Sequence, residues 1–286
     1  MSVTTPANLA QVYAALDADP HAQLLAGGTD FMVEVNAGHR RPDSVVALHA
    51  VAELRGWRRV GDTVVIGGGC TYHEMQRPAF AALVPALAVA ARTVGSPQIR
   101  NVGTIGGNVA TASPAGDTLP ALVALEATVT LGSSRGERHV PIAEFIVGPK
   151  RTLRAPGEVI VEVRVPVLDG PQEYLKIGTR NAMVIAVADL ALVVDRRSKA
   201  MRCALGSVGP TVLRATEAEQ WIAGRVDWSS GSSGDMVATC AEFGRLVAAS
   251  ARPIDDHRST AAYRRRGIEV LAARALARVL DRMRER

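Results

Sequence analysis

Short apolar runs alternate with turn signals over the first 60 residues, a pattern typical of a small β-α-β unit. Apolar residues recur at helical spacing over 6–16, which predicts a short helix. The apolar runs 23–26 and 44–48 predict two buried strands, and the segment 31–37 between them predicts a second helix. Because a helix separates the two strands, we expect them to lie parallel in one sheet.

The pattern of residues 61–168 mixes strand and helix signals with one long polar-rich stretch. Glycine, asparagine, serine and threonine crowd residues 95–117, which are still apolar enough to be buried, so we expect a long functional loop there. The remaining pattern predicts a strand over 63–66, an Ala-rich helix over 78–93, strands over 127–131 and around Val140, and an alternating strand over 159–165.

The tripeptide Asp169-Gly170-Pro171 marks the predicted boundary between two domains. We assign residues 1–168 to the first domain, with subdomains of about 1–60 and 61–168, and residues 171–286 to the second. The second domain has predicted strands over 174–177, 188–195 and 201–208 and predicted helices around 215–223, 234–249 and 259–286. This order predicts an α+β fold in which helices cover one face of a three-stranded antiparallel sheet.

Composition and charge indicate a globular protein with a large core. The 286 residues are 48% hydrophobic and carry a formal net charge of +5. Much of that charge lies in residues 258–286, where nine arginines accompany three acidic residues. Apolar residues at helical spacing make these arginines the solvated face of an amphipathic helix, so we expect no nucleic-acid partner. No uncharged apolar run reaches about 18 residues, and no secretory leader is recognisable, so we expect a cytoplasmic protein without a membrane span.

Motif spelling argues against several kinds of active site. The widely spaced Cys70, Cys203 and Cys240 form no CxxC pair, so we expect neither a disulfide framework nor a metal or iron–sulfur site. The chain has no P-loop, no dinucleotide GxGxxG, no HExxH and no GxSxG. The run Asp255-Asp256-His257 could be an acid pair or ligand set, but we favour an acidic cap for the helix that follows.

Two glycine-rich segments are the candidates for a binding site. Gly27 and Gly28 let successive backbone N–H groups point to one side, which suits phosphate oxygens; alternatively, Thr29 or Asp30 simply caps the next helix. In the second segment, Gly106 and Gly107 would allow close approach of a large ligand, with hydrogen bonds from Thr104 and Asn108; the alternative is a structural Ω-loop. Together they suggest a pyrophosphate site without a Rossmann motif.

These residues carry a resemblance to a known family. The sequence AGGTD at 26–30 and the sequence SPQIRNVGTIGGNV at 96–109 resemble the FAD-binding medium subunit of molybdenum hydroxylases. That family includes xanthine dehydrogenases, aldehyde oxidoreductases and aerobic carbon monoxide dehydrogenases. Residues 148–166, 204–210 and 255–264 extend the resemblance to nearly the whole chain. It implies a two-subdomain, PCMH-type FAD-binding domain followed by a domain like the C-terminal domain of the carbon monoxide dehydrogenase flavoprotein.

The resemblance also implies site residues, and we expect none of them to be a catalytic acid or base. Asp117 would accept a hydrogen bond from the pyrimidine edge of the flavin, and Ile160 and Lys176 would lie beside the ring. The alternatives are a helix cap at Asp117 and a snorkelling strand residue at Lys176. We expect Asp30 to turn its N–H toward the ligand and its carboxylate away. The two FAD loops comprise Gln23, Leu24, Leu25, Ala26, Gly27, Gly28, Thr29 and Asp30, and then Thr104, Ile105, Gly106, Gly107 and Asn108.

By the same resemblance, the chain is an electron-transfer subunit. A large partner subunit would carry molybdopterin, a small one would carry [2Fe–2S] clusters, and FAD on this chain would pass electrons to NAD or another acceptor. We expect a heterotrimer or a dimer of heterotrimers. The alternatives are a free-standing flavin oxidoreductase and a cofactor-free scaffold subunit. The substrate stays open among purines, other N-heterocycles, aldehydes and carbon monoxide, with a slight preference for the xanthine dehydrogenase branch.

Overall fold

A computed structural model describes residues 1–285, and its N-terminal part is a three-stranded sheet. The strand order is β1-β3-β2, and both pairs are parallel, as predicted for the second and third strands. The first strand was not predicted, because three exposed residues carry no apolar pattern. The elements are β1 (Ser2–Thr4), α1 (Leu9–Ala18), β2 (Gln23–Leu25), α2 (Phe31–Asn36), β3 (Ser44–Ala47) and 3-10 turns at Leu48–Ala50 and Ala52–Leu54.

A five-stranded antiparallel sheet follows, in the order β4-β5-β10-β6-β7. A small separate hairpin, β8-β9, lies between the fourth and fifth of these strands in the chain. The strands are β4 (Trp57–Val60), β5 (Thr63–Gly67), β6 (Thr128–Ser133), β7 (Gly136–Pro141), β8 (Ile146–Gly148), β9 (Arg151–Thr152) and β10 (Val159–Pro166).

Seven short helices join these strands, and they correct two predictions. The single helix predicted over 78–93 is two helices, because Pro85 lacks an N–H and begins a new one. The loop predicted over 95–117 contains two helices, capped by the side chains of Ser96 and Thr104. The helices are α3 (Tyr72–Met75), α4 (Pro78–Ala81), α5 (Pro85–Thr93), α6 (Pro97–Val102), α7 (Ile105–Thr111), α8 (Thr118–Ala124) and α9 (Ile142–Phe145).

The C-terminal part is an antiparallel sheet with three helices, and the sheet has four strands where three were predicted. The extra edge strand is two residues long, too short to show any periodicity. The elements are β11 (Gln172–Ile177), β12 (Ala188–Asp195), β13 (Ala200–Gly206), β14 (Leu213–Arg214), α10 (Thr216–Ala223), α11 (Met236–Ser250) and α12 (Ala261–Arg284).

The C-terminal sheet is buried on both faces, and this positions the site described below. On β12, Ala191 and Val193 belong to the core that also contains α5 and α8. The alternate residues Leu190 and Leu192 pack with α11 and α12 in a second core. A strand buried on both faces reads as one continuous apolar run, which is why its bounds were predicted correctly.

The basic helix α12 departs from its prediction at one arginine. Arg264 is only 4% exposed, and its guanidinium donates to the carbonyl oxygens of Val187 and Ser207 and to the carboxylate of Asp256. It is therefore an internal brace and not part of a solvated face. Asp255 accepts a hydrogen bond from the Ala261 N–H, so the acidic run does cap the helix start, next to the N-cap Thr260.

Candidate functional site

A large cleft, of about 1210 Å³, lies where the N-terminal unit meets the five-stranded sheet. One wall is the β2–α2 connection, a second is the turn after β5 together with α6 and α7, and a third is the segment 150–160. A cleft of this size accommodates a ligand larger than an ordinary small molecule. The predicted residues that line it are Gln23, Leu24, Ala26, Gly27, Gly28, Thr29, Asp30, Thr104, Gly106, Gly107, Asn108 and Ile160.

The first glycine loop presents unused hydrogen-bond donors to this cleft. The backbone N–H groups of Gly27, Gly28, Thr29 and Asp30 donate to no acceptor within residues 1–285. Gly28 turns the chain with φ of +74°, a conformation that favours glycine. Asp30 stands before α2 but makes no side-chain cap; its carboxylate accepts from the Thr111 hydroxyl at 3.3 Å instead. The loop therefore has the form of an anion nest, and the capping alternative does not hold.

Gly27 also lets two walls of the cleft touch. A Cβ at this position would overlap the carbonyl oxygen of Val102 at the end of α6. No rotamer change can relieve a clash with backbone, so only glycine permits this approach. The two glycine segments, about 75 residues apart in the chain, are thus held against each other by their backbones.

The second segment differs from the first because most of its backbone donors already have acceptors. The Ile105 N–H donates to the carbonyl of Cys70 at 3.0 Å, and the Gly106 N–H donates to that of Gly68 at 2.9 Å. A Cβ on Gly106 would lie 2.5 Å from the Gly68 oxygen. The sequence predicted that this glycine allows close approach of a ligand; in the structure it also allows close packing of two backbone segments. Gly107 is partly exposed to the cleft, and its N–H donates to the Thr104 hydroxyl.

Asp117 and Lys176 form a buried ion pair behind the cleft rather than in its lining. The Lys176 Nζ lies 2.5 Å from the Asp117 Oδ2, and both side chains are less than a tenth exposed. The Thr93 hydroxyl is 3.1 Å from the same oxygen. Burial raises the pKa of Asp117, and the Lys176 ammonium opposes that shift. Asp117 makes no helix cap and Lys176 does not reach solvent, so neither alternative holds. Leu25 and Ile105 also lie outside the lining, and Ile105 is part of the core.

Tyr72 is a cleft residue that the sequence reasoning missed. It is 4% exposed and lines the cleft together with Asn108. Burial raises the pKa of Tyr72, and the negative Asp30 and Asp117 raise it further, so its hydroxyl stays neutral. The available signal was the run Thr71-x-x-Glu74, a capping box that fixes α3 and hence this side chain.

A charged cluster closes the outer wall. Glu34 on α2 pairs with Lys150 at 2.9 Å and with Arg40 at 3.0 Å, and the Arg40 guanidinium lies over the Phe31 ring. The Lys150 hydrogen bond and the Arg40 charge lower the pKa of Glu34. These contacts tie the β8–β9 turn to the N-terminal unit across the mouth of the cleft.

Within residues 1–285, no group of three or more His, Cys, Asp or Glu side chains is arranged to hold a metal ion. Cys70, Cys203 and Cys240 are free and buried, and burial raises the pKa of each thiol. None of the helices in this part of the chain is both long and apolar enough to cross a membrane.

Comparison with known families defines the class of protein. Residues 1–168 match the FAD binding domain in molybdopterin dehydrogenase, and residues 173–279 match the CO dehydrogenase flavoprotein C-terminal domain. The chain therefore belongs to the FAD-binding subunits of the molybdenum hydroxylases. It is a flavoprotein subunit of an oxidoreductase, and its cofactor is FAD.

Individual relatives agree with this assignment. The glyceraldehyde dehydrogenase medium chain of Sulfolobus acidocaldarius is 31% identical over 268 residues, which cover 92% of each chain. The carbon monoxide dehydrogenase medium chain of Hydrogenophaga pseudoflava is 36% identical over 201 residues, 68% of this chain and 69% of that one. In structure, the chain resembles quinoline 2-oxidoreductase from Pseudomonas putida 86, with a TM-score of 0.91, 25% identity, and coverage of 99% of this chain and 98% of that one.

The residues present fit the cofactor of the family. Four unpaired N–H groups on one concave loop match the needs of a pyrophosphate, whose oxygens accept several hydrogen bonds at once. The basic side chains at the rim, including Arg40, Arg41 and Lys150, favour an anionic ligand.

Proposed function

We propose that this chain holds FAD for a molybdenum hydroxylase and transfers electrons from the [2Fe–2S] clusters of a small partner subunit to NAD or another acceptor. The observation that carries the proposal is the meeting of two glycine segments in one cleft, where residues 27–30 of the lining have four backbone N–H groups without an acceptor among the described residues. When bound, FAD supplies the electron-accepting ring. The protein's part is to bind, orient and tune it.

The proposed roles follow the cleft from the anion nest inward. Gly27 to Asp30 donate to the pyrophosphate, and Thr104 and Asn108 contact it from the opposite wall. Asp117 and Lys176 are assigned to the flavin end. The hydroxyl of Thr118, next to Asp117, hydrogen-bonds the Asn108 side chain of the cleft, and this contact supports that assignment.

The partners are proposed from the names of relatives. The relatives include medium chains and FAD-subunits of dehydrogenases, and the solved structures include carbon monoxide dehydrogenase. We propose that this chain works beside an iron–sulfur small subunit and a molybdopterin large subunit, as a heterotrimer or a dimer of heterotrimers. The substrate is then oxidised on the large subunit and not on this chain.

A flavin titration of matched glycine variants tests the binding site. Gly28 and Gly38 have nearly the same φ, +74° and +73°, but Gly28 lines the cleft and Gly38 does not. Gly28→Ala and Gly38→Ala therefore introduce a similar backbone strain. We expect Gly28→Ala to weaken FAD binding at least tenfold, while Gly38→Ala binds as the wild type does. Equal affinities in all three proteins would contradict the assigned nest.

The electron path needs the complex. We would co-express the three subunits, remove oxygen, and follow the flavin absorption after adding the complex's substrate and then NAD, or NADH alone. Bleaching by substrate supports the path from the partner subunits to the flavin. Return of the flavin absorption on adding NAD, or bleaching by NADH alone, supports NAD as the acceptor. A flavin that substrate bleaches but NAD does not reoxidise supports another acceptor. A folded chain that retains no flavin even in the complex would favour a cofactor-free scaffold.

A further inference from the structure

One buried titratable group has no part in the proposed function. Asp189 lies on β12, is 0% exposed and stands directly opposite Lys176 in the β11–β12 register. Its side chain points to the sheet face that packs on α5 and α8, as do those of Tyr174 and Lys176. It therefore adjoins the ion pair at the proposed flavin end of the site.

The hydrogen bonding of Asp189 is incomplete for an ionised carboxylate. The Tyr174 hydroxyl is 2.9 Å from its Oδ2, while its Oδ1 has no hydrogen-bond partner in the described chain by strict geometry. Ser207 offers a buried hydroxyl nearby that is also without a partner. A Cβ on Gly206, its neighbour on β13, would overlap Oδ1, so the pocket is closely shaped around this carboxyl.

The charges around Asp189 do not balance a second carboxylate. From β11 it faces Lys176 and the Tyr174 hydroxyl, and from α8 it faces Asp117. Lys176 is already committed to Asp117 at 2.5 Å. On the α12 side, the Arg264 guanidinium is bonded to two backbone carbonyls and to Asp256. One ammonium thus serves two buried carboxyls, and an unpaired buried carboxylate is strongly disfavoured.

We infer that Asp189 is a neutral, proton-bearing positioning residue that leaves the Lys176 charge undivided for Asp117 and for the flavin end of the cleft. Burial first, and then the charge of Asp117, raise the pKa of Asp189 to about 8, in agreement with the geometry. As a neutral acid it can also donate to the Ser207 hydroxyl, which would satisfy both orphaned oxygens. The inference about the flavin rests on the proposed function, whereas that about the proton does not.

The pH dependence of unfolding tests the proton on the FAD-free chain. A raised pKa means that the folded chain binds one proton more than the unfolded chain between about pH 4 and about pH 8. Over this window the wild type loses stability as pH rises, and Asp189→Asn, a neutral mimic, removes the loss. The ratio of the unfolding constants, wild type over Asp189→Asn, should increase up to about tenfold per pH unit.

A further variant keeps this test decisive. Tyr174→Phe removes the one hydrogen bond to Oδ2 and should shift the titration to higher pH. If Asp189→Asn does not fold, the shift between the wild type and Tyr174→Phe serves as the test of the Asp189 proton. A ratio that is flat with pH, or an Asn variant destabilised equally at every pH, overturns the inference.

Infrared and redox readouts separate the two parts of the inference. Near neutral pH, the wild type minus Asp189→Asn difference spectrum should contain the C=O stretch of a protonated carboxyl, and its absence overturns the inference. In the FAD-loaded complex, the flavin midpoint potential of the wild type should fall additionally above about pH 8, as ionised Asp189 begins to offset Lys176, and Asp189→Asn should lack this step. If FAD does not bind, the proposed function fails, while the measurements on the FAD-free chain still show whether Asp189 carries a proton.

Discussion

Substitution by alanine should lower the stability of the protein at Gly106 but not at the neighbouring Gly107 of α7. In Gly106→Ala the new methyl would lie 2.5 Å from the Gly68 carbonyl oxygen and 3.0 Å from its carbon, both backbone atoms that no rotamer change can move. Overpacking of this kind costs about 1–3 kcal/mol, against a gain of up to about 1 kcal/mol from replacing glycine within a helix. With the full helix gain, the net loss is at most about 2 kcal/mol, which corresponds to a Tm lower by at most roughly 8 °C.

In Gly107→Ala the two terms nearly cancel. The methyl would lie 3.0 Å from the Thr104 hydroxyl, a contact that a shift of a few tenths of an ångström relieves. The helix gain offsets that shift, so we expect a change in unfolding free energy within about 0.5 kcal/mol. The methyl also enters the cleft. A loss of about 1.4 kcal/mol in contact with FAD would weaken binding tenfold.

The assay measures Tm by circular dichroism and FAD affinity by flavin fluorescence, for both variants and the wild type. Gly106→Ala should lower Tm, because its Cβ overlaps the Gly68 backbone. Gly107→Ala should leave Tm unchanged and lower affinity directly. If the two variants lose the same Tm and bind FAD equally, the separation of a packing glycine from a cleft glycine is refuted.

Three other perturbations have definite expected outcomes. Lys176→Met leaves the Asp117 carboxylate buried without its counter-ion and should cost about 3–5 kcal/mol in urea unfolding, while adding Asp117→Asn should restore part of it. Gly27→Ala should lower Tm and abolish flavin retention, because its Cβ overlaps backbone, whereas Gly224→Ala, which meets open space, should do neither. The pKa of Asp256 is lowered to about 2 by backbone N–H donors, so its stabilisation is present above about pH 4 and lost as pH falls toward 2; acid titration of Asp256→Asn should show a flatter profile.

The sequence pattern predicted those elements whose formation is dominated by burial of apolar side chains. Strand β12 has the bounds expected from its apolar run, because both of its faces are buried. The helices α6 and α7 were missed despite start signals at Ser96-Pro97 and Thr104. Two glycines within α7 disfavour an isolated helix by about 1 kcal/mol each, and packing of α7 on β5, β10 and α8 offsets this cost.

The site was predicted in type but not in arrangement. The anion nest at residues 27–30 follows from two adjacent glycines before a helix, which is a local signal. The Asp117–Lys176 pair joins residues 59 apart in sequence. Its position outside the cleft lining depends on how α5 and α8 pack on the C-terminal sheet. Asp189 gave no signal, since a single acidic residue in an apolar strand does not reveal what stands opposite.

The double burial of β12 bears on how such subunits can be inherited in pieces. Its sheet completes one apolar core with α5 and α8, which joins residues of both family-matched regions, and a second core with α11 and α12, which lies within the C-terminal part. Heating should therefore melt both regions in a single cooperative transition. Recombination between related subunits near residues 167–171 would build this shared core from two different parent sequences. We therefore expect substitutions on the two sides of the shared core to be correlated among related subunits. Exchange of a whole chain should be tolerated better than exchange of one of its two regions.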